Sequence, residues 1–564
     1  MSNNKTKTPE SPIALTSVAA GINEIQQSKT IINSPDKKNH KKINIEYWDK
    51  YLYLFSNTSV VNIYFIIAFI SCLLAMFGVF NMVKIGQSQT YIFIPFTIIG
   101  LYILGARAIT YLISSFYPKF YLDAHIKTID KFWKNAEQNP DLTPVVDVLI
   151  PTCGEDVELI RLTLEHVKHV KYPAGKLNVT VLDDVANAKL VDLVESYGYN
   201  YLSRPNRGEH KKAGNLQYGY DRTDGVYALV LDADFCPHKD FLLETIPYLE
   251  ENKQIGILQT PQYFQTTQEI SNRSWVEYGA GVNTEDFYRF IQPTRDVLGG
   301  AICVGTSAIY RRQAIVDGGG CPIEKGSDDV MQGLAVHSQG YIVKYLPIIL
   351  SRGICPDTLE SFFKQHERWC GGTIDANKSN LAKIANLPVG SKLCYFLNFY
   401  YYTSEAMTSI LSLNIFFTLA FAYDQIRLEY IYVFIPLLMF TIYNNLIMKV
   451  TKYHPSVILT TMANTYTYLY TVVNLIFGRT LVWVATNAKK DKISPAFKTT
   501  VTIATCMTLC YIILLAISIY LHPNIFSNDN TFPILVSGIF IIFSNLLYLY
   551  NAYSEIINFK KNRQ

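Results

Sequence analysis

The sequence predicts an α/β domain with a mostly parallel sheet, inserted between transmembrane α-helices, and therefore a multi-pass membrane protein. Three observations carry this. Six apolar runs of membrane-spanning length fall in two groups, one towards each end of the 564 residues. Between the groups, short apolar runs alternate with segments of helical spacing, the pattern of strands joined by helices that cover both faces of a sheet. Charged residues make up 17% of the chain, against roughly 25% in soluble domains, and the deficit is confined to the two apolar groups.

Residues 1–44 are rich in Ser, Asn and Lys without apolar periodicity, and are expected to form a disordered cytoplasmic tail. Residues 45–120 hold two spans, at 60–80 and 91–114. The first begins too far from Met1 for a cleaved signal peptide. Arg107 interrupts the second, where it either snorkels to the interface or faces a polar channel. Residues 140–375 form the α/β domain, with strands expected at 145–150, 177–182, 199–202, 226–231 and 255–258. Leu159, Leu162 and Val167 give a helix over 155–170. Residues 376–564 return to the membrane, with runs at 395–420, 430–448, 499–521 and 532–552. Segment 455–477 scatters Thr460, Thr461, Asn464, Thr465, Thr467, Thr471 and Asn474 among Tyr and Leu; it fits a helix at the interface or one lining a polar path. Counted as interfacial, it leaves six spans and both termini on one side. Lys and Arg gather there, in the N-terminal tail, at Lys449, Lys452, Lys489, Lys490 and Lys492, and at Lys560, Lys561 and Arg563. The positive-inside rule then puts the middle domain in the cytoplasm, at the inner or plasma membrane of the cell.

A net charge of +4 makes no field for nucleic acid, and none is expected as a partner. Ten cysteines without a CxxC pair read as reduced and structural. The most informative stretch is GVYALVLDAD at 225–234, an apolar strand-length run that ends in Asp232 and Asp234. In an extended chain residues i and i+2 point to one side, so both carboxylates can face one hard cation, Mg²⁺ or Mn²⁺. Ligands of such sheets bind beyond the carboxyl ends of the strands. The 151–155 loop, Asp183 with Asp184, and Asp232 with Asp234 all follow expected strands and should converge on one edge.

In order along the chain, Asp183-Asp184, Asp232-Ala233-Asp234, Ser327-Asp328-Asp329 and Gln365-His366-Glu367-Arg368-Trp369 resemble the D, D-x-D, T-E-D and Q-x-x-R-W series of processive family 2 glycosyltransferases, with bacterial cellulose synthase the nearest branch. Lys212-Ala213-Gly214-Asn215-Leu216, the block from Gln259 to Phe264, and Gly305-Thr306-Ser307-Ala308 extend the match over about 145–372. The resemblance implies a GT-A type glycosyltransferase fold. It also implies inverting polymerisation of glucose from UDP-glucose into a β-glucan, which leaves through a channel made by the spans of the same chain. Asp232 and Asp234 would hold Mg²⁺ or Mn²⁺ against the leaving diphosphate. Asp183, Lys212, Asp232, Gln365 and Arg368 would hold the nucleotide sugar, with the forked donors of Arg368 suited to the diphosphate. Asp329 would be the base that takes the acceptor hydroxyl's proton. Ser327 and Asp328 depart from the family's Thr and Glu, which leaves a shared or exchanged role for Asp328 and Asp329 open. The indole of Trp369 offers an apolar face to the terminal sugar of the acceptor.

Residues 483–489 resemble the family's F-x-V-T-x-K gating loop with substitutions, so Thr486 and Lys489 would close over the nucleotide. The chain ends soon after its last apolar run, and the expectation is a catalytic subunit without a C-terminal PilZ domain; accessory subunits stay open. Linkage is fixed by no motif. Two other functions are compatible with parts of the pattern: a non-processive transferase that adds a sugar to a lipid, and a transporter. The latter lacks a G-x-x-x-x-G-K-S/T loop for ATP.

Overall fold

A computed structural model of the chain describes residues 48–85, 90–264, 274–322, 327–426, 435–443, 449, 454–479 and 493–561. The expected tail at 1–44 and the 483–489 segment with Thr486 and Lys489 lie outside them.

Four parallel strands begin the domain: β1 (Val146–Thr152), β2 (Leu177–Asp183), β3 (Asn200–Leu202) and β4 (Tyr227–Val230), in the order β3-β2-β1-β4. Then follow β5 (Phe235–Pro237), β6 (Ile255–Gln259), β7 (Tyr263–Phe264), β8 (Ala308–Arg311), β9 (Ile342–Tyr345) and β10 (Ser351–Gly353). The main sheet continues from β4 as β8-β6-β9, with β8 antiparallel to both neighbours and β9 parallel to β6. β5, β10 and β7 form a second, small sheet. All five expected strands are present. β8 was not legible because it has only four residues, all buried, so nothing alternates; its place comes from partners far off in sequence.

Alternate residues of the central strands enter two cores. Val146, Val148, Ile150, Tyr227 and Leu229 pack on one side of the sheet, and Leu149, Ala228 and Val230 on the other. A sheet covered on both faces needs such uninterrupted apolar strands. The expected helix spans Val157–Lys168 and starts at Asp156, whose side chain accepts from Glu158 N at 2.9 Å.

Five described helices are long and apolar enough to cross a membrane: Thr58–Phe80, Phe93–Ser114, Val389–Phe421, Pro495–Leu521 and Phe532–Phe559. Of the run at 430–448, only Ile435–Tyr443 is described, and the rest lies outside the described residues. Arg107 has a partner on the next span: it donates to Glu405 Oε1 at 3.1 Å. An ion pair between two spans removes most of the cost of a lone charge there. The polar segment forms the Ser456–Ile476 helix and packs against the Trp275–Glu285, Leu359–Ser379 and Val389–Phe421 helices. Its Thr460, Thr467 and Thr471 are buried; Thr467 and Thr471 donate to the carbonyls of Ala463 and Thr467 at 2.6 and 2.7 Å.

Candidate active site

At the carboxyl edge of the sheet lies a cavity of about 240 Å³. Asp184, Lys212, Asp232, Asp234, Asp328, Asp329, Gln365, Arg368 and Trp369 all line it. Five stretches separated by up to 185 residues in sequence therefore meet in one place, Asp184 at one end and Trp369 at the other (369 − 184 = 185).

Asp232 leaves the end of β4, and its amide donates to Thr306 Oγ1 at 2.8 Å. The chain then turns, with Phe235 N donating to Asp232 O at 3.0 Å. The two carboxylates thus sit at a turn between β4 and β5; the alternation of an extended strand is not what aims them. The loop that receives Asp232 is fixed by Gln259. Its Nε2 donates to Thr306 O at 2.9 Å and its Oε1 accepts from Val304 N at 2.9 Å. Gly305 in this loop has φ +80°, and a Cβ there would come within 2.9 Å of Asp329 Cβ. Only glycine leaves room for Asp329 to stand against the loop.

Asp328 and Asp329 open the Asp328–Ser338 helix, and Asp329 Oδ1 accepts from Val330 N at 2.9 Å. Burial raises the Asp329 carboxyl above its ordinary range, while Lys212 and Arg368 pull it back down. Desolvation first, then the neighbouring charge of Asp329, push half-buried Asp328 up to about 7. A carboxylate must be ionised to accept a proton. The acid limb of the rate profile is therefore expected well above the ~4 of a free carboxylate, with activity lost as pH falls through it. Measuring kcat/KM between about pH 3 and 9 at saturating metal checks this; an acid limb near ~4 would show that neither raised carboxyl is the base.

Asp183 does not line the cavity. Its oxygens accept from Val185 N at 2.9 Å, Asn187 N at 2.7 Å and Tyr201 Oη at 2.8 Å, and so shape the loop. Its neighbour Asp184 faces the cavity and is gripped by Arg204 at 2.6 and 2.8 Å. Asp183 is satisfied by amides of its own loop and by Tyr201, and Asp184 by Arg204, so these partners and not the motif set which way each points.

Gln365, Arg368 and Trp369 lie on the Leu359–Ser379 helix at i, i+3 and i+4, so they share one face. The first turn of this helix is held from the far end of the described chain: Leu359 N and Glu360 N donate to the two oxygens of Glu555 at 2.8 and 3.1 Å. A carboxylate satisfies free amides there and suits the positive end of the helix dipole. Arg368 lies close enough to Asp329, Asp232, Asp234 and Asp328 for all four to stabilise its charge against burial. His366, passed over as a variable position of the motif, backs Trp369. Its ring lies 4.9 Å from the indole and 4.0 Å from Phe362, and Nδ1 meets Tyr468 Oη at 2.7 Å. Burial lowers its pKa to about 3, so the imidazole is neutral and serves as packing and a hydrogen-bonding post. Glu155, in the 151–155 loop, also reaches the cavity, its Oε2 accepting from Cys153 N at 2.6 Å.

The donor set fits a hard divalent cation. Burial first, then the charges of Asp232 and Glu155, push Asp234 up to about 7, which marks a pair carrying more negative charge than its surroundings neutralise. Among the described residues no group of three or more His, Cys, Asp or Glu side chains is arranged to hold a metal. Two protein carboxylates completed by phosphate oxygens and water are the usual coordination of Mg²⁺ beside a diphosphate.

Residues 147–319 match the model of Glycosyl transferase family 2. Over 296 residues the chain is 30% identical to the cellulose synthase 1 catalytic subunit (UDP-forming) of Komagataeibacter xylinus, covering 52% of this chain and 40% of that one. Over 273 residues it is 29% identical to the cellulose synthase catalytic subunit (UDP-forming) of Pseudomonas fluorescens, covering 48% and 36%. The chain thus spans less than half the length of these curated relatives. Among solved structures, a mannosyltransferase from Pyrobaculum calidifontis in complex with GDP-Man and Mn²⁺ is similar at 17% identity and a TM-score of 0.46, covering 66% of this chain and 100% of that one. Residues 1–349 of S. aureus TarS in complex with UDP-GlcNAc follow at 13% and 0.31, covering 62% and 97%. Much of the cavity is thus built by the stretch that matches Glycosyl transferase family 2, in a chain that carries helices of membrane-spanning length on either side of it and is similar to the catalytic subunits of cellulose synthases.

Proposed function

We propose that the chain is a membrane-embedded, inverting, processive glycosyltransferase that polymerises glucose from UDP-glucose into a β-glucan and passes it across the membrane. The observation that carries this reading is the cavity itself. An acidic pair suited to a metal, a half-buried carboxylate suited to a base, and an Arg and Trp on a helix packed against the Val389–Phe421 and Ser456–Ile476 helices would otherwise have no reason to share one space; here they line it together.

In this reading the acceptor hydroxyl attacks the anomeric carbon of the donor from the face opposite the leaving group. The new C–O bond forms as the bond to UDP breaks, configuration inverts, and the hydroxyl proton passes to Asp329. A divalent cation on Asp232 and Asp234, when bound, supplies Lewis-acid stabilisation of the departing diphosphate. Arg368 adds charge-assisted hydrogen bonds to the same diphosphate, and Gln365 on the same helix face contacts the donor. The loop shaped by Asp183 and presenting Asp184 receives the nucleoside. Trp369 stacks on the terminal sugar of the chain being extended, braced by His366. Thr486 and Lys489 close the nucleotide from the 483–489 segment. We place the domain boundaries at 45–120, 140–375 and 376–564, after a tail of 1–44, with the catalytic domain on the cytoplasmic side of the inner or plasma membrane.

The test is incubation of the detergent-purified protein with UDP-glucose and Mg²⁺ or Mn²⁺, followed by digestion of the product with linkage-specific glucanases. A long β-glucan is expected; a single sugar on lipid would instead establish a non-processive transferase. Trp369→Ala should lower polymer formation about tenfold or more, the effect of losing roughly 1.4 kcal/mol of acceptor binding in the transition state. Slow hydrolysis of UDP-glucose, which needs no acceptor sugar, should persist. Full-length polymer at the normal rate from this variant would remove Trp369 from the acceptor site.

A further inference from the structure

Lys212 stands where a bound cation would be expected to act. Its ammonium pairs with Asp232 Oδ1 and donates to Gly305 O at 2.8 Å, on the wall of the cavity beside the acidic pair. We propose that Lys212 is the resident counter-cation of Asp232 and Asp234: in the ligand-free protein it holds the position at Asp232 that a divalent cation takes, so metal enters by exchange with a lysine. This rests on the metal role given above to that pair.

Three features set the lysine against its own position. It is the second residue of the Lys211–Tyr220 helix, where the dipole disfavours a cation. The two residues before it are both left-handed, His210 at φ +52° and Lys211 at φ +51°. Neither is glycine, and consecutive non-glycine residues in this region are strained. The turn is clamped from behind: Arg204 donates to Lys211 O at 3.1 Å while it grips Asp184, which also accepts from Gly208 N at 3.1 Å. Gly214 completes the clamp, because a Cβ there would come within 2.4 Å of Arg204 Nη1.

Strain and adverse dipole are thus balanced against one ion pair at Asp232. An ammonium answers one of the two carboxylates; a divalent cation answers both. When Asp232 is neutralised by the metal, the lysine loses its ion pair and keeps only the Gly305 carbonyl, and Asp329 is the next carboxylate that stabilises its charge. The exchange hands a cation from the leaving-group side of the cavity to the side of the base.

Mn²⁺ binding to the full-length protein in detergent, followed by electron paramagnetic resonance without nucleotide sugar, tests this. Lys212→Met should bind Mn²⁺ about tenfold tighter than the wild type or more, since a competing unit charge at contact distance is removed. Lys212→Arg, which keeps the charge, should stay near the wild type. Lys211→Met removes an equal charge from the same cavity lining and should shift affinity less than about threefold. No gain in Lys212→Met, or equal gains in both Met variants, overturns the exchange. Asp232→Asn, measured with UDP present, separates the two claims. If it binds Mn²⁺ as the wild type does, the metal role of the pair falls. If it loses the metal while Lys212→Met gains nothing, only the lysine exchange falls. Should Lys212→Met not fold, lysine-directed acylation of the wild type with mass-spectrometric readout decides. Labelling of Lys212 should rise several-fold with saturating Mn²⁺, and unchanged or reduced labelling overturns the proposal.

Discussion

Asp329→Asn is expected to stop chain elongation while leaving UDP binding within about threefold of the wild type, because an amide keeps the shape of the carboxyl and cannot accept a proton. Loss of a general base costs about 10²- to 10⁴-fold in rate. The position makes the prediction specific. Asp329 stands against Gly305 at the end of the loop that receives Asp232, and is coupled electrostatically to Lys212 and Arg368. Calorimetric UDP binding beside radiolabelled glucose incorporation checks it. Equal losses in both would give Asp329 a structural or metal-linked role. Asp328→Asn belongs in the same experiment, because Asp328 lines the cavity and its carboxyl is raised to about 7. If that variant were the more severe of the two, the base would be Asp328.

Replacing either member of the acidic pair should be as damaging by a different route. Asp232→Asn and Asp234→Asn each remove a charged oxygen from the position facing the leaving diphosphate. Transfer is expected to fall about 10²-fold or more, with weaker Mn²⁺ binding in the presence of UDP. The two should differ in the ligand-free state. Asp232 is also the partner of Lys212, so its loss frees the lysine; Asp234 has no such tie, and its variant leaves the lysine in place. Near-normal turnover by either variant without added metal would end the assignment of the pair.

Much of this was written in local sequence. The five expected strands appear within two residues of their expected bounds, because short, mostly apolar runs closed by turn residues are long enough for a strand and too short for a helix. The spans were legible for the reason that no soluble helix stays apolar on every side for so long. The ordered motifs named the residues that share the cavity, since a strand end fixes where its following residues must go.

What the tertiary structure alone decided concerns direction and partnership. The resemblance assigned Asp183 to the nucleotide sugar and gave Asp184 no role; packing turns Asp183 into its own loop and leaves Asp184 on the cavity wall. Sequence presented Asp232 and Asp234 as a strand-borne pair, whereas a turn and a hydrogen bond to Thr306, 74 residues away, aim them. Arg107 looked like an isolated charge until Glu405 appeared on the neighbouring span, and Lys212 like a nucleotide contact until it was found on Asp232. His366 carried no signal in the motif, yet joins Trp369 to Tyr468. In each case local sequence determined which chemical groups are present and on which element they ride. Apart from the amides that hold Asp183 within its own loop, their partners lie tens to hundreds of residues away, and only the closing of the chain brings the two halves of a charge pair or hydrogen bond within 3 Å or so of each other.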